Sequence, residues 1–262
     1  MNHISLALLL QLIMFSNLVG QNYFVVDYTF TDKSSEFMHM QLNETLFANN
    51  AKARLILYPP NLNKNERFEV SENDVFLVKP NTTNGATHYF FDAKLNEIYV
   101  LIENPKGKQI VIDDGVQFNW VVTNETKKMN EFEVVKATTS FRGRNYVVWF
   151  DPSIPIPYGP WKFYGLPGLI LQVYDDEDTF LWEYSKISTP VQIQEGFVEF
   201  SINDYDKESI QTAEEFTNQL KEDFNKRQKS MFSKLPRGGR VESVTNPFEK
   251  AIERIYEWEE EN

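Results

Sequence analysis

The chain has 262 residues, 42% of them apolar, with 38 acidic side chains against 26 basic ones and no cysteine. At this length a folded chain buries roughly 70–75% of the surface that its unfolded form exposes, so no disulfide or structural metal is required, and a disulfide scaffold is excluded. The net charge of −12, with no chain-wide basic stripe, argues against a nucleic-acid binder whose affinity rests on neutralising phosphates with Lys and Arg.

Residues 1–20 contain no Lys, Arg, Asp or Glu, and the run 4–15 is apolar apart from Ser5 and Gln11. The run is shorter than the roughly 20 residues of a membrane-spanning helix, and Gly20 offers a cleavage point, so 1–20 is expected to be an export signal. With no cysteine behind it, anchoring through a lipidated cysteine is not expected. The expectation is a chain exported to the periplasm or outer envelope, with no transmembrane segment after the signal and a single β-rich domain over 21–262.

From Tyr23 to about Asn203 the sequence is a series of short β-branched and aromatic runs, separated by Asn, Asp, Gly, Pro and Lys clusters. The runs lie at 23–30, 37–42, 53–58, 74–78, 87–92, 97–103, 109–113, 118–122, 131–139, 145–150, 168–174, 179–187 and 197–202. Turn chemistry at Asn84-Gly85, Pro105 to Lys108 and Asp113-Asp114-Gly115 implies hairpins, and hairpins imply antiparallel pairing. Some runs alternate, as Phe132 and Val134 do with Glu131 and Glu133, which marks a strand with one wet face. Others, such as 145–150 and 168–174, are apolar on both faces and need a cover on each side.

After residue 203 the character changes. Over 206–235 there is no Gly or Pro, and Ile210, Ala213, Phe216 or Thr217, Leu220 and Phe224 fall at helical spacing, which predicts an amphipathic helix packed on the sheet. Arg237-Gly238-Gly239-Arg240 stops it, and Asn246-Pro247 opens a second predicted helix over 247–260 with Phe248, Ile252 and Ile255 on its apolar side. The fold class is therefore mainly β, a β-rich α+β arrangement of one large antiparallel sheet with C-terminal helices.

The densest segment is 137–171. Pro152, Pro155, Pro157 and Pro160 each remove a backbone donor, so this stretch is a loop or an edge. Leu166-Pro167-Gly168-Leu169 has the chemistry of a type II turn, with Gly168 expected at positive φ. Gly165, Leu166, Pro167, Gly168, Leu169 and Ile170 spell the hexapeptide after which the GLPGLI family of exported Bacteroidetes proteins is named, and the chain resembles that family. Ala137-Thr138, Phe141 to Arg144, Trp149-Phe150, Ile154-Pro155 and Gly159-Pro160-Trp161 match its flanking pattern. The resemblance implies no established reaction and no defined catalytic or binding residue. In outline it implies a strongly curved sheet of the lipoprotein-carrier kind, an analogy of fold that carries no function with it.

Candidate ligand-loop residues are Trp149, Ile154, Ile156, Tyr158 and Trp161, large apolar groups beside prolines that would suit a peptide or lipid partner if exposed. Arg142 and Arg144 flank Gly143 and would form a small anion clamp, the alternatives being a solvated pair or a partner for Asp151. Met38-His39-Met40 raises a copper reading, but alternation would separate His39 from the two Met, so core packing of the methionines is preferred. Asp175 to Asp178 lacks the spacing of a calcium loop and is expected to be a solvated turn. Lys226, Arg227, Lys229, Lys234, Arg237 and Arg240 give the long helix a basic end.

Past the signal there are two histidines, His39 and His88, and none of the local nucleophile, zinc or phosphate-loop motifs. No catalytic residue, metal or cofactor is assigned. The expected function is an exported non-enzymatic binding or accessory protein that takes an apolar ligand, lipid or peptide, with no nucleic-acid partner. A secreted hydrolase would need His39 or His88 in a cleft beside a carboxylate or hydroxyl, and a copper-handling protein would centre on Met38 to Met40.

Overall fold

The computed structural model describes residues 22–35, 38–60, 69–70, 75–77, 85–92, 97–105, 107–194, 196–234 and 247–259. The expected export signal at 1–20 and the Arg-Gly-Gly-Arg stop at 237–240 lie outside the described residues. In chain order the strands are β1 (Asn22–Asp32), β2 (Met40–Ala48), β3 (Lys52–Leu57), β4 (Glu69–Val70), β5 (Val75–Leu77), β6 (Thr87–Asp92) and β7 (Glu97–Asn104). They continue with β8 (Gly107–Asp113), β9 (Val121–Met129), β10 (Phe132–Phe141), β11 (Arg144–Asp151), β12 (Leu169–Asp175), β13 (Phe180–Ile193) and β14 (Ile210–Thr212), after which comes one helix, α1 (Ala213–Ser233).

All the strands join one sheet, whose main path runs β14, β8, β7, β6, β3, β2, β1, β13, β12, β11, β10, β9. Pairing is antiparallel except where β14 lies along β8 and β5 along β13. Alternation sorts the side chains onto two faces, as period-2 geometry requires. Tyr28 and Phe30 of β1, Leu46 of β2, Leu55 of β3, Tyr89 of β6, Val148 of β11 and Trp182 of β13 share one continuous core on the inner face.

The sheet is strongly curved. Asp113, at the end of β8, and Arg142, in the turn before β11, belong to the second and tenth positions of the path. In a flat sheet they would stand roughly 40 Å apart at the usual strand spacing. Their side chains instead meet at 2.8 Å, so the ends of the arc turn toward each other. The hollow is filled by the proline-rich loop 152–168, whose Phe163 and Leu166 are fully enclosed and whose Trp161 stacks on Trp182 at 5.9 Å. On the outer face the segment after β13 lies across the sheet, with Phe197 edge-on to Phe47 and Phe200 against Phe90 and Tyr99.

Several expectations are corrected. The run 197–202 is this covering segment rather than a strand. The helix predicted over 206–235 begins only at Ala213, because Ile210 to Thr212 pair with β8 and Thr212 then caps the helix by accepting from the Glu215 N–H. The helix predicted at 247–260 is two short 3-10 turns, Pro247–Lys250 and Glu257–Glu259. Between them the backbone bonds outward: the Arg254 N–H donates to the Arg142 carbonyl, and Arg144 takes the Ala251 carbonyl.

Gly168 is not a left-handed turn residue, since the positive φ in this motif belongs to Gly165, at 93°. A Cβ on Gly168 would sit 2.2 Å from the Asp151 carbonyl oxygen, so glycine is needed there for close approach of two backbones. Asp113 to Gly115 is not a hairpin either. It starts the crossing from β8 to β9, the far edge of the sheet.

Candidate functional site

β10 and β11 are joined by two residues, Arg142 with φ 44° and Gly143 with φ 80°. Two positive φ values define the hairpin turn that normally takes Asn-Gly or Asp-Gly, because a longer side chain in the first place is strained. An arginine held there points to a use for its guanidinium. The turn aims it into the hollow of the sheet, where Arg142 is 6% exposed.

Its guanidinium makes a two-pronged contact with Asp113, donating from both terminal nitrogens at 2.8 and 2.9 Å. It also donates to Glu253, and its Nε donates to Glu257 at 3.1 Å. Lys162, from the proline-rich loop, donates to Asp113 at 2.6 Å and to both oxygens of Glu253 at 2.8 and 3.0 Å. Phe141, Tyr256 and Trp258 lie 4.9, 5.0 and 5.5 Å from the Arg142 guanidinium carbon, which encloses the cation in aromatic faces. Burial alone would raise the Asp113 carboxyl, but Lys162 and Arg142 outweigh it and hold the group down at about 2. Burial also works against the charged form of Lys162, and Glu253 and Asp113 overcome it, so the ammonium titrates above its ordinary value.

Arg144 anchors a neighbouring cluster. It pairs with Asp175, whose other oxygen accepts from the Thr179 and Phe180 N–H groups, and with Glu177, which is shared with Arg254. The two arginines therefore clamp the chain's own carboxylates and the segment 247–259. They are not a solvated pair, and their partners are Asp113 and Asp175 rather than Asp151.

Above the Asp113 cluster lies a cavity of about 280 Å³. One wall is the inner face of the sheet, with Tyr89, Val100, Ile102 and Val111; the opposite wall is Ala213, Phe216 and Leu220 of α1. Trp161 and Lys162 of the proline-rich loop, with Glu253 and Tyr256 of the 247–259 strap, close the rest. Beneath Trp161 sits Glu44, 2% exposed, accepting from the Trp161 N–H at 3.0 Å and the Trp182 Nε1–H at 3.2 Å. Burial, only partly offset by these two donors, raises its pKa to about 7.

The structure brings Trp161 and Arg142 of the sequence-derived candidates to the cavity. Ile156 and Tyr158 are buried in the core under the loop, Ile154 is half-buried, and Trp149 lies beneath the Lys127 ammonium, 4.2 Å from its ring. The loop thus turns its apolar groups inward and offers no exposed apolar face. Met38 and Met40 are 73% and 41% exposed, which corrects the expectation that they pack in the core. His88 is buried on the outer face, with its Nδ1 3.1 Å from the Arg54 guanidinium and its Nε2 4.0 Å from Glu103, away from the cavity. Asp175 and Glu177 are taken up by Arg144 and Arg254, so the acidic turn is a structural corner. Sequence reasoning missed Asp113, Lys162 and Glu253. The available signal was an arginine in a two-residue turn, which asks for a buried carboxylate without saying which.

No protein-family model matches the chain, and no curated protein matches it. Among solved structures it is similar to PNGF-II in two crystal forms, at 15% identity, over 76% of this chain, with TM-scores of 0.49 and 0.48. The match covers 33% and 32% of those chains, about a third of their length. It is also similar to a LolA superfamily protein from Nitrosomonas europaea, at 7% identity, over 72% of this chain and 91% of that one, with a TM-score of 0.30. Among the described residues no helix is long and apolar enough to cross a membrane.

Proposed function

We propose that this is an exported, non-enzymatic binding or accessory protein of the bacterial envelope, a member of the GLPGLI family, whose ligand occupies the cavity between the curved sheet and α1. The observation that carries the reading is the cavity itself: a cleft with apolar walls and convergent charged groups at one end is the usual build of a small-molecule site. Size narrows the ligand. A volume of about 280 Å³ corresponds to roughly nine water molecules and falls just below the range of ordinary ligand pockets, which suits one short apolar chain rather than a multi-chain lipid.

Titration with 1-octanol, followed by tryptophan emission with Trp161→Phe as the reference, tests the proposal. Saturable quenching is expected in the wild type. It should disappear in Ala213→Phe, which fills the cavity from the helix side. Unsaturable quenching, or equal binding by the filled variant, would place the alcohol elsewhere and defeat the reading.

A further inference from the structure

The strap at 247–259 is fastened to the body mainly through groups other than Glu253. The Arg254 and Ile255 N–H groups donate to the Arg142 carbonyl at 2.9 and 3.3 Å. Tyr146 donates to the Ile252 carbonyl, Arg144 to the Ala251 carbonyl, and Arg254 and Lys221 pair with Glu177 and Glu259. Glu253 does something different: it reaches off the strap into the cavity and places its carboxylate between Arg142 and Lys162.

Charge explains what that place is for. Without Glu253 the floor of the cavity holds two cations, Arg142 and Lys162, and one carboxylate, Asp113, which leaves one positive charge in excess. Glu257, which does not line the cavity, meets the Nε and one terminal nitrogen of Arg142, and its side chain is 46% exposed, where solvent screens it. The excess is matched by a monoanion that accepts from Arg142 and Lys162 together, which is the geometry of a carboxylate with both oxygens engaged. The apolar walls begin next to this position, at Tyr89, Val111 and Phe216. Tyr89, buried on the inner face, lines the same cavity.

We propose that Glu253 stands in for the head group of the ligand, so that the cavity takes a single-chain carboxylate and the strap competes with it from within the chain. This rests on the reading of the cavity as a binding site. When the ligand carboxylate enters, Glu253 turns out to solvent, which its 15% side-chain exposure already touches, while the remaining attachments keep the strap in place. The strap thereby sets a threshold: only a ligand that supplies both the anion and the apolar chain displaces it.

The test pairs sodium octanoate with 1-octanol on the full chain, by calorimetry. In wild type the alcohol binds and octanoate binds weakly. In Glu253→Gln, which keeps the side-chain shape and removes the competing charge, octanoate affinity rises about tenfold or more relative to that of octanol, the size expected for one charge-assisted contact. Adding Lys162→Met to Glu253→Gln removes the gain of octanoate over octanol. If octanol binds and octanoate is no tighter in Glu253→Gln, the inference falls and the cavity reading stands. If neither compound binds either protein, the cavity reading itself falls. Should Glu253→Gln fail to fold, carbon NMR of the wild-type carboxylates decides. Excess octanoate is expected to shift the Glu253 side-chain carboxylate signal as it leaves Arg142 and Lys162 for solvent, octanol is not, and equal shifts with both compounds overturn the proposal.

Discussion

Arg142 shows how a single residue can carry several duties. Its left-handed backbone costs the turn stability, and its buried guanidinium would be untenable alone, yet Asp113, Glu253 and three aromatic rings compensate both. The sequence made the pair Arg142 and Arg144 legible as a clamp, because two arginines around a glycine in a β-rich segment rarely lie idle. The partners were not legible: Asp113 is 29 residues away and Glu253 is 111 away, and no local pattern connects them. Glu44 gives a prediction at this scale. Its pKa rises from 4.5 to about 7 on folding, so its unfavourable contribution is absent below pH 4.5, grows as pH rises, and is complete above about pH 7. For a fully enclosed group the shift corresponds to about 3 kcal/mol. Glu44→Gln cannot ionise, so its stability relative to wild type should improve by about that amount between pH 5 and pH 8 in urea unfolding. His88 and the paired carboxylates titrate alike in both proteins and cancel from the comparison. A difference that does not change with pH would show that Glu44 is charged throughout.

Among elements, the strands were legible wherever alternation was clear, as in β10, where Phe132 and Val134 pack into the core and Glu133 stays exposed. Helical spacing was a poorer guide. Ile210 fits the stripe of α1 yet sits in β14, since an unpaired edge of β8 offers backbone partners that outcompete one more helical turn. The true start was written in Thr212 and Glu215, a reciprocal cap in which each side chain accepts from the other residue's N–H. Thr212→Ala should therefore lower stability by about 1 kcal/mol and reduce the helical signal at 222 nm as the first turn frays. No change in either would mean that packing of Ala213 and Thr217 against the sheet holds the helix end without its cap. The strap at 247–259 was misjudged for a related reason, as between its two 3-10 turns the carbonyls and N–H groups are claimed by Arg144, Tyr146 and the Arg142 carbonyl.

At the scale of the molecule, the class of fold was legible in composition and turn chemistry, and its strong curvature was expected from the resemblance alone, whereas the cavity was not legible, since it depends on contacts between residues far apart in the chain. The sheet is best protected at its middle. β1 is paired along its length with β2 on one side and β13 on the other, and its inward side chains are enclosed. In α1, Met231 and Phe232 are 47% and 43% exposed, so the end of the helix stands off the body. Native-state hydrogen exchange should show the slowest amides in β1 and β13 and the fastest helical amides in the last two turns of α1. Comparable rates in both would contradict a core centred on the middle strands.

Considered as a mechanical object, the sheet is an arc whose ends are tied twice, by the covalent crossing 114–120 from β8 to β9 and by the contact of Asp113 with Arg142 and Lys162. A load that spreads β8 from β11 falls on the crossing and on these side-chain bonds together, so the atoms that would meet a ligand also bear on the stiffness of the whole arc.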